Sequence, residues 1–362
     1  MVSLSWFHAE RPGVRWAIGL LTILAFTGCR TRPAPAPAPR PPVPHEAGPV
    51  TPAAPPAVPV VRQGDEIIVA GRWFHTGARV VTWMDPGGYD AYRQTPPVKL
   101  PAKRPVKPRA TAPPPPAPAV TKTFGVREIT PAAGPGQPLH HGDLPALQQL
   151  VDQFVLHYDG SGVSSVCFTT LGQRGLSVHF LLDVDGTIYQ TLDLEERALH
   201  ATIANDRSIG VEIANVGAHL PTESKVLNEW YRREPNGQTR LVVPKAVGNP
   251  QIRTKDFSAR PARNARIRGA VQGHVLEQYD FTPEQYAALS KLTAALCRVF
   301  PRLACDYPRD HAGQVIPHKL PDADLMRYHG VLGHYHIQTN KQDPGPALQW
   351  DKVIDGARAL LK

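Results

Sequence analysis

The chain has 362 residues, with 40 prolines, 40 lysines and arginines, 31 acidic residues and a formal net charge of +9. Residues 1–120 hold 24 of the prolines, 14 of the basic residues and only 6 of the acidic ones, so the basic excess belongs to the N-terminal third. Basic residues scattered through a proline-rich leader argue against a nucleic-acid-binding surface, which gathers them on one folded face.

Arg11 and Arg15 precede an apolar run from Trp16 to Phe26. That run is too short to span a bilayer, where roughly 20 residues are needed, and has the layout of an export signal. Its end, Ala25-Phe26-Thr27-Gly28-Cys29, resembles a bacterial lipoprotein signal (residues 1–28), which makes Cys29 the lipidation site. By the same resemblance, Arg30 at the next position favours an outer-membrane lipoprotein facing the periplasm. The layout also fits an ordinary signal cut near Gly28, with Cys29 a bystander.

Residues 29–64 then alternate Pro with Ala and Val, the composition of an extended polyproline spacer. Residues 65–93 carry β-rich runs broken by Gly and a Pro-Gly-Gly turn, and predict a small element packed on the main domain. A second linker, rich in Pro, Lys and Arg, occupies 94–120.

The main domain is expected over 121–362. Val151–His157, Leu176–Leu182, Thr187–Leu192 and Ser208–Ala214 read as strands, and Asp185-Gly186 as a hairpin turn. Thr282-Pro283-Glu284 opens a helix that Pro301 stops, and Trp350–Leu361 repeats the helical period. Strands interspersed with helices indicate the α/β class. The polar, Arg-rich stretch 217–275 shows little periodicity and reads as a long insertion, functional or disordered. Cys297 and Cys305 allow a disulfide, although these two and Cys167 fit equally well as small buried hydrophobes.

Three patterns stand apart as chemistry. His157 ends an apolar strand (Phe154-Val155-Leu156-His157-Tyr158). Glu212 sits inside another (Ser208-Ile209-Gly210-Val211-Glu212-Ile213). The third is Gly333-His334-Tyr335-His336, followed by Lys341-Gln342-Asp343-Pro344-Gly345-Pro346. A carboxylate among Ile and Val is costly to bury unless something pairs or uses it.

Together, in this order, the patterns resemble the zinc N-acetylmuramoyl-L-alanine amidases of the type 2 family, relatives of peptidoglycan recognition proteins. The resemblance covers about 145–216 and 276–356, including the stretch around His179, Asp185-Gly186 and Trp350. It implies a mixed central β-sheet flanked by helices, and one Zn2+ per chain held by His157, His334 and Asp343. Glu212 falls at the family's general base and Lys341 at the residue facing the oxyanion. His200 stands where the family often has Trp-His, here Leu199-His200, and is a candidate substrate contact. Asn205 and Arg207 are further candidates that could instead shape the turn. His179 reads as structural, and His336 is a rival ligand. The partners implied are peptidoglycan or muropeptides and, through the anchor, a membrane, with no nucleic acid; a monomer is expected. Two other readings stay open: a peptidoglycan binder without activity, and a zinc peptidase acting within the stem peptide.

Overall fold

The computed structural model describes residues 62–89, 123–129 and 136–362. The expected signal peptide, Cys29, nearly all of the first linker and the whole of the second lie outside the described residues. Among the described residues, no helix is long and apolar enough to cross a membrane.

In chain order, β1 (Glu66–Val69) and β2 (Arg72–His75) form a hairpin, and β3 (Val80–Thr82) follows. Three short strands, β4 (Phe124–Val126), β5 (Glu128–Ile129) and β6 (Gln137–Pro138), precede α1 (Leu144–Leu150) and β7 (Gln153–Tyr158). Then come α2 (Ser164–Gln173), β8 (Phe180–Leu182), β9 (Ile188–Gln190), β10 (Glu196–Ala198) and β11 (Ser208–Ile213). Next are α3 (Lys225–Trp230), β12 (Tyr231–Arg233), β13 (Thr239–Leu241), β14 (Ile267–Val271) and β15 (His274–Gln278). The chain closes with α4 (Pro283–Val299), α5 (Asp322–Arg327), β16 (Gly330–Gly333) and α6 (Trp350–Leu361).

The central sheet has six strands in the order β16-β7-β11-β8-β9-β3. It is mixed: β16, β7, β11 and β8 run parallel, β9 turns back on β8, and β3 pairs in parallel with β9. The Asp185-Gly186 turn makes the antiparallel β8–β9 hairpin, with Gly186 at φ 79°. Strand β3 places the described part of this element, 65–89, on the edge of the sheet itself. The preceding hairpin is tied there as well, with Ile68 N–H donating to Gln190 Oε1 at 2.8 Å.

The period of two along the strands sorts their residues onto two faces. Phe154, Leu156, Ile209, Val211, Ile213, Phe180, Leu182 and Ile188 join one large core. Tyr286, Leu289, Leu292 and Leu296 of α4, with Val353 and Ile354 of α6, close that core from outside. Helix α4 starts as its residues require: Thr282 accepts from Gln285 N–H at 3.0 Å, and Gln285 answers at 2.9 Å. On the opposite face, Cys167, Phe168 and Leu171 of α2 pack on Leu181 and Tyr189. That face also carries His157 on β7 and Glu212 on β11.

The stretch 217–275, expected as a long insertion that is functional or disordered, is ordered into elements of its own. It holds α3, the β12–β13 hairpin, and β14, whose partner β15 ends at 278. Leu227, Trp230, Tyr231, Leu241 and Ala259 gather around Val163, Val184 and Val216 from the main domain. These apolar residues are too sparse along the chain to show a period, and their partners are remote in sequence. Its arginines serve ion pairs: Arg260 with Glu234 at 2.7 Å, Arg263 with Asp280 at 2.7 Å and Arg266 with Glu277 at 3.2 Å.

Candidate active site

At the C-terminal ends of β7 and β11 lies an open pocket of about 210 Å³. His157, His200, Glu212, His334, Lys341 and Asp343 line it, with Leu171, Leu176 and Leu199 on one wall. Parallel pairing sets Glu212 opposite His157 in register. His334 opens a 3-10 turn directly after β16, and the N–H of Tyr335 in that turn donates to Asp343 O at 3.1 Å. Two neighbouring strands, one turn and two loops, one carrying His200 and the other Lys341 and Asp343, therefore supply the whole constellation.

The potential ligand atoms of His157, His334 and Asp343 lie within 4.8 Å of one another, and all three residues are buried. Nδ1 of His157 is 2.7 Å from Asp343 Oδ2, and Nδ1 of His334 is 2.9 Å from that same oxygen. The outer ring nitrogens are committed elsewhere: His334 Nε2 to Gln338 Oε1 at 2.8 Å, His157 Nε2 to His200 Nδ1 at 3.0 Å. Nε2 of His334 faces the amide oxygen of Gln338, and a proton on that nitrogen would leave the Nδ1 lone pair to an ion. If His157 donates through Nε2 to His200 in the same way, two lone pairs and a carboxylate converge on one point. Such a donor set suits a zinc ion, with the outer nitrogens oriented by hydrogen bonds as metal-binding imidazoles usually are.

Burial, then the neighbouring His334, lowers His157 to about 4 and keeps it neutral. Asp343 is held well below the usual carboxylate range; burial alone would raise it, but the facing imidazoles outweigh that. Glu212 is pushed well above the usual range, chiefly by burial and then by the charges of Asp343 and Asp159, with Lys341 opposing.

Other candidate residues part company here. His336 turns away: its Nδ1 accepts from Gly333 N–H at 2.8 Å and its Nε2 reaches Ile316 O at 2.7 Å, so both nitrogens are used by backbone. His200 lines the pocket but is only 9% exposed, with its nitrogens directed to His157 and, at 3.3 Å, to Ser208 Oγ. It backs His157 rather than offering a free ring to substrate. Asn205 shapes the turn, its Oδ1 accepting from the N–H groups of His200 (3.1 Å) and Ala201 (2.6 Å). Arg207 is not brought to the pocket. It precedes β11 at the other end of the sheet and clasps Asp152 with bonds of 2.6 and 2.7 Å. Substrate contact by Arg207 is therefore corrected to an ion pair, since a six-residue strand separates the two ends. His179 is fully buried, as a structural residue should be.

Residues that the sequence did not single out also line the pocket, among them Asp159, Thr170 and Arg174. Arg174 follows α2, which has no motif, and only the folding of that helix over the sheet brings it there.

Among the described residues, Cys167, Cys297 and Cys305 are free thiols.

The sequence profile of the N-acetylmuramoyl-L-alanine amidase family matches residues 147–346. No curated protein sequence matches the chain. Solved structures that align with the chain include a selenomethionine derivative of AmpD, at 16% identity and TM-score 0.30, aligned over 67% of this chain and 93% of that one. Another is the N-acetylmuramyl-L-alanine amidase AmiD from E. coli, in complex with anhydro-N-acetylmuramic acid-L-Ala-D-γ-Glu-L-Lys. It aligns at 18% identity and TM-score 0.31, over 57% of each chain. The amidase LysC from Clostridium intestinale aligns at 14% identity and TM-score 0.29, over 60% of this chain and 89% of its own. The profile match spans more than half of the sequence, and by it the chain belongs to the N-acetylmuramoyl-L-alanine amidase family.

Proposed function

We propose that this amidase is a zinc enzyme that hydrolyses the amide between the lactyl group of N-acetylmuramic acid and L-alanine in peptidoglycan or its fragments. One zinc ion would be held by His157, His334 and Asp343. The observation that carries the reading is the approach of two imidazole Nδ1 atoms to one carboxylate oxygen, at 2.7 and 2.9 Å. Zinc in that position would supply a Lewis acid for the scissile carbonyl and would bring the pKa of a water to about 7.

The protein's own groups do the rest. Glu212, level with His157 on the next strand, takes the proton of the attacking water and returns it to the leaving amine. Lys341, on the pocket wall, offers its ammonium to the oxyanion of the tetrahedral intermediate. His200 and Gln338 hold the two ligand rings in orientation. Chelation should abolish turnover and added zinc restore it. Full activity in metal-free protein would overturn the reading.

We also infer that the chain is exported, acylated on Cys29 and held at the outer membrane facing the periplasm as a monomer. Support for export and acylation lies in the leader: Arg11 and Arg15, a short apolar run, small residues and then Cys29, followed by a proline-rich spacer. An acyl anchor needs more than one chain to be firm, which diacylation of one cysteine provides.

A further inference from the structure

Arg127 heads the fully buried side chains by size among the described residues. It stands between β4 and β5, ahead of the residues that match the family. Carbonyls receive its guanidinium: Leu194 O at 2.9 Å, Asn205 O at 3.1 Å, Asp206 O at 2.7 Å and Ser208 O at 2.9 Å. Burying a charge costs several kcal/mol in general, so a guanidinium this enclosed persists only where its donors are well used. Burial lowers it to about 9, which leaves it a cation at neutral pH.

Three of those carbonyls bracket the corner that feeds β11, and that corner in turn holds His200. Asn205 Oδ1 takes the N–H of His200, and Ser208 Oγ meets its Nε2. Two residues along, Gly210 N–H donates to His179 Nδ1 at 3.1 Å, while Arg127 Nη2 lies 3.0 Å from Nε2 of the same ring. The His200 ring rests on the bare backbone of Gly210, where a Cβ would come within 2.6 Å of it. Beyond His200 stands His157, and two residues beyond Gly210 stands Glu212.

We propose that Arg127 is a positioning residue for this site: by gripping the 205–208 backbone from beneath, it sets His200 behind His157 and fixes the level of Glu212. The proposal rests on the zinc-amidase reading for its effect on turnover, but not for its effect on the imidazoles. It also makes the segment before the family match a working part of the enzyme.

The test is Arg127→Lys, which keeps the charge but cannot reach every carbonyl, with Arg327→Lys on the surface as control. In metal-free protein labelled with ¹⁵N-histidine, the ring-nitrogen signals of His179 and His200 should shift in Arg127→Lys and stay put in the control. Zinc affinity or kcat should fall about threefold to tenfold, less than the 10- to 100-fold usual when a direct outer partner of a metal ligand is lost, with KM within about threefold of wild type. Unmoved histidine signals, wild-type kcat and zinc affinity, or failure of Arg127→Lys to fold at all would each overturn the positioning role. The last result would assign Arg127 to stability alone. A wild-type protein without turnover would instead sink the zinc-amidase reading, and the histidine signals would still decide on Arg127.

Discussion

Glu212 and His157 face each other as register partners on adjacent parallel strands, both on the sheet face opposite the main core. The same alternation that buries Val211 and Ile213 turns Glu212 toward the pocket. A one-residue slip of β11 would exchange the two sets, so the packing of the core also fixes where the carboxylate points.

From this follows a division of labour. Glu212→Gln is nearly isosteric and should keep its metal, but cannot take a proton from water. Turnover should fall roughly 10²- to 10⁴-fold. Steady-state kinetics with metal analysis on the same preparation checks it; a wild-type rate would leave Glu212 a structural carboxylate.

The ligand set is separable from its rival. His157→Ala and Asp343→Ala should each lose bound zinc, whereas His336→Ala should retain it, because both His336 nitrogens serve backbone groups. His336→Ala should still cost stability, since it leaves a hole beside Trp350 and a backbone N–H unpaired. Metal content of the three variants decides the assignment. An empty His336→Ala beside a zinc-loaded His157→Ala would reverse it.

Much of this site could be read from the residues because its members sit in strong local patterns. His157 ends an apolar run, Glu212 interrupts another, and His334 and Asp343 flank a short turn. Residues whose role comes from remote pairing were not legible. Arg127 looks like any basic residue near a proline-rich linker until four distant carbonyls surround it. Arg207 lies close in sequence to Glu212, yet the strand between them carries it to the opposite end of the sheet. The pairing of β3 with β9 joins residues more than a hundred positions apart, and no local period announces it.

Stability should depend on pH through Asp183. Its Oδ1 accepts from Val184 N–H at 2.8 Å, its Oδ2 is buried without a partner, and burial pushes the carboxyl up to about 7. A carboxyl with a raised pKa in the folded state stabilises fully below its unfolded value. That contribution is lost as pH climbs from about 4 through 7. Asp183→Asn removes the titration, so the fall in Tm between pH 5 and pH 8 should be smaller than in wild type. An unchanged or steeper fall in thermal melts would contradict it.

Cys29→Ser should release the protein from the membrane fraction while leaving its activity on isolated wall intact. Fractionation and intact mass read the outcome. A wild-type protein that is already soluble and carries no acyl chains would remove the anchor from the account and leave the enzyme untouched.

The central claim concerns one bond, and mass analysis of purified peptidoglycan after digestion tests it most directly. The account predicts glycan strands whose muramic acids end in free lactyl carboxyls, together with intact stem peptides that begin at a free L-alanine amine. Both products should vanish on chelation and return with zinc. Stem peptides cut internally, or wall that binds the protein and stays whole, would contradict it.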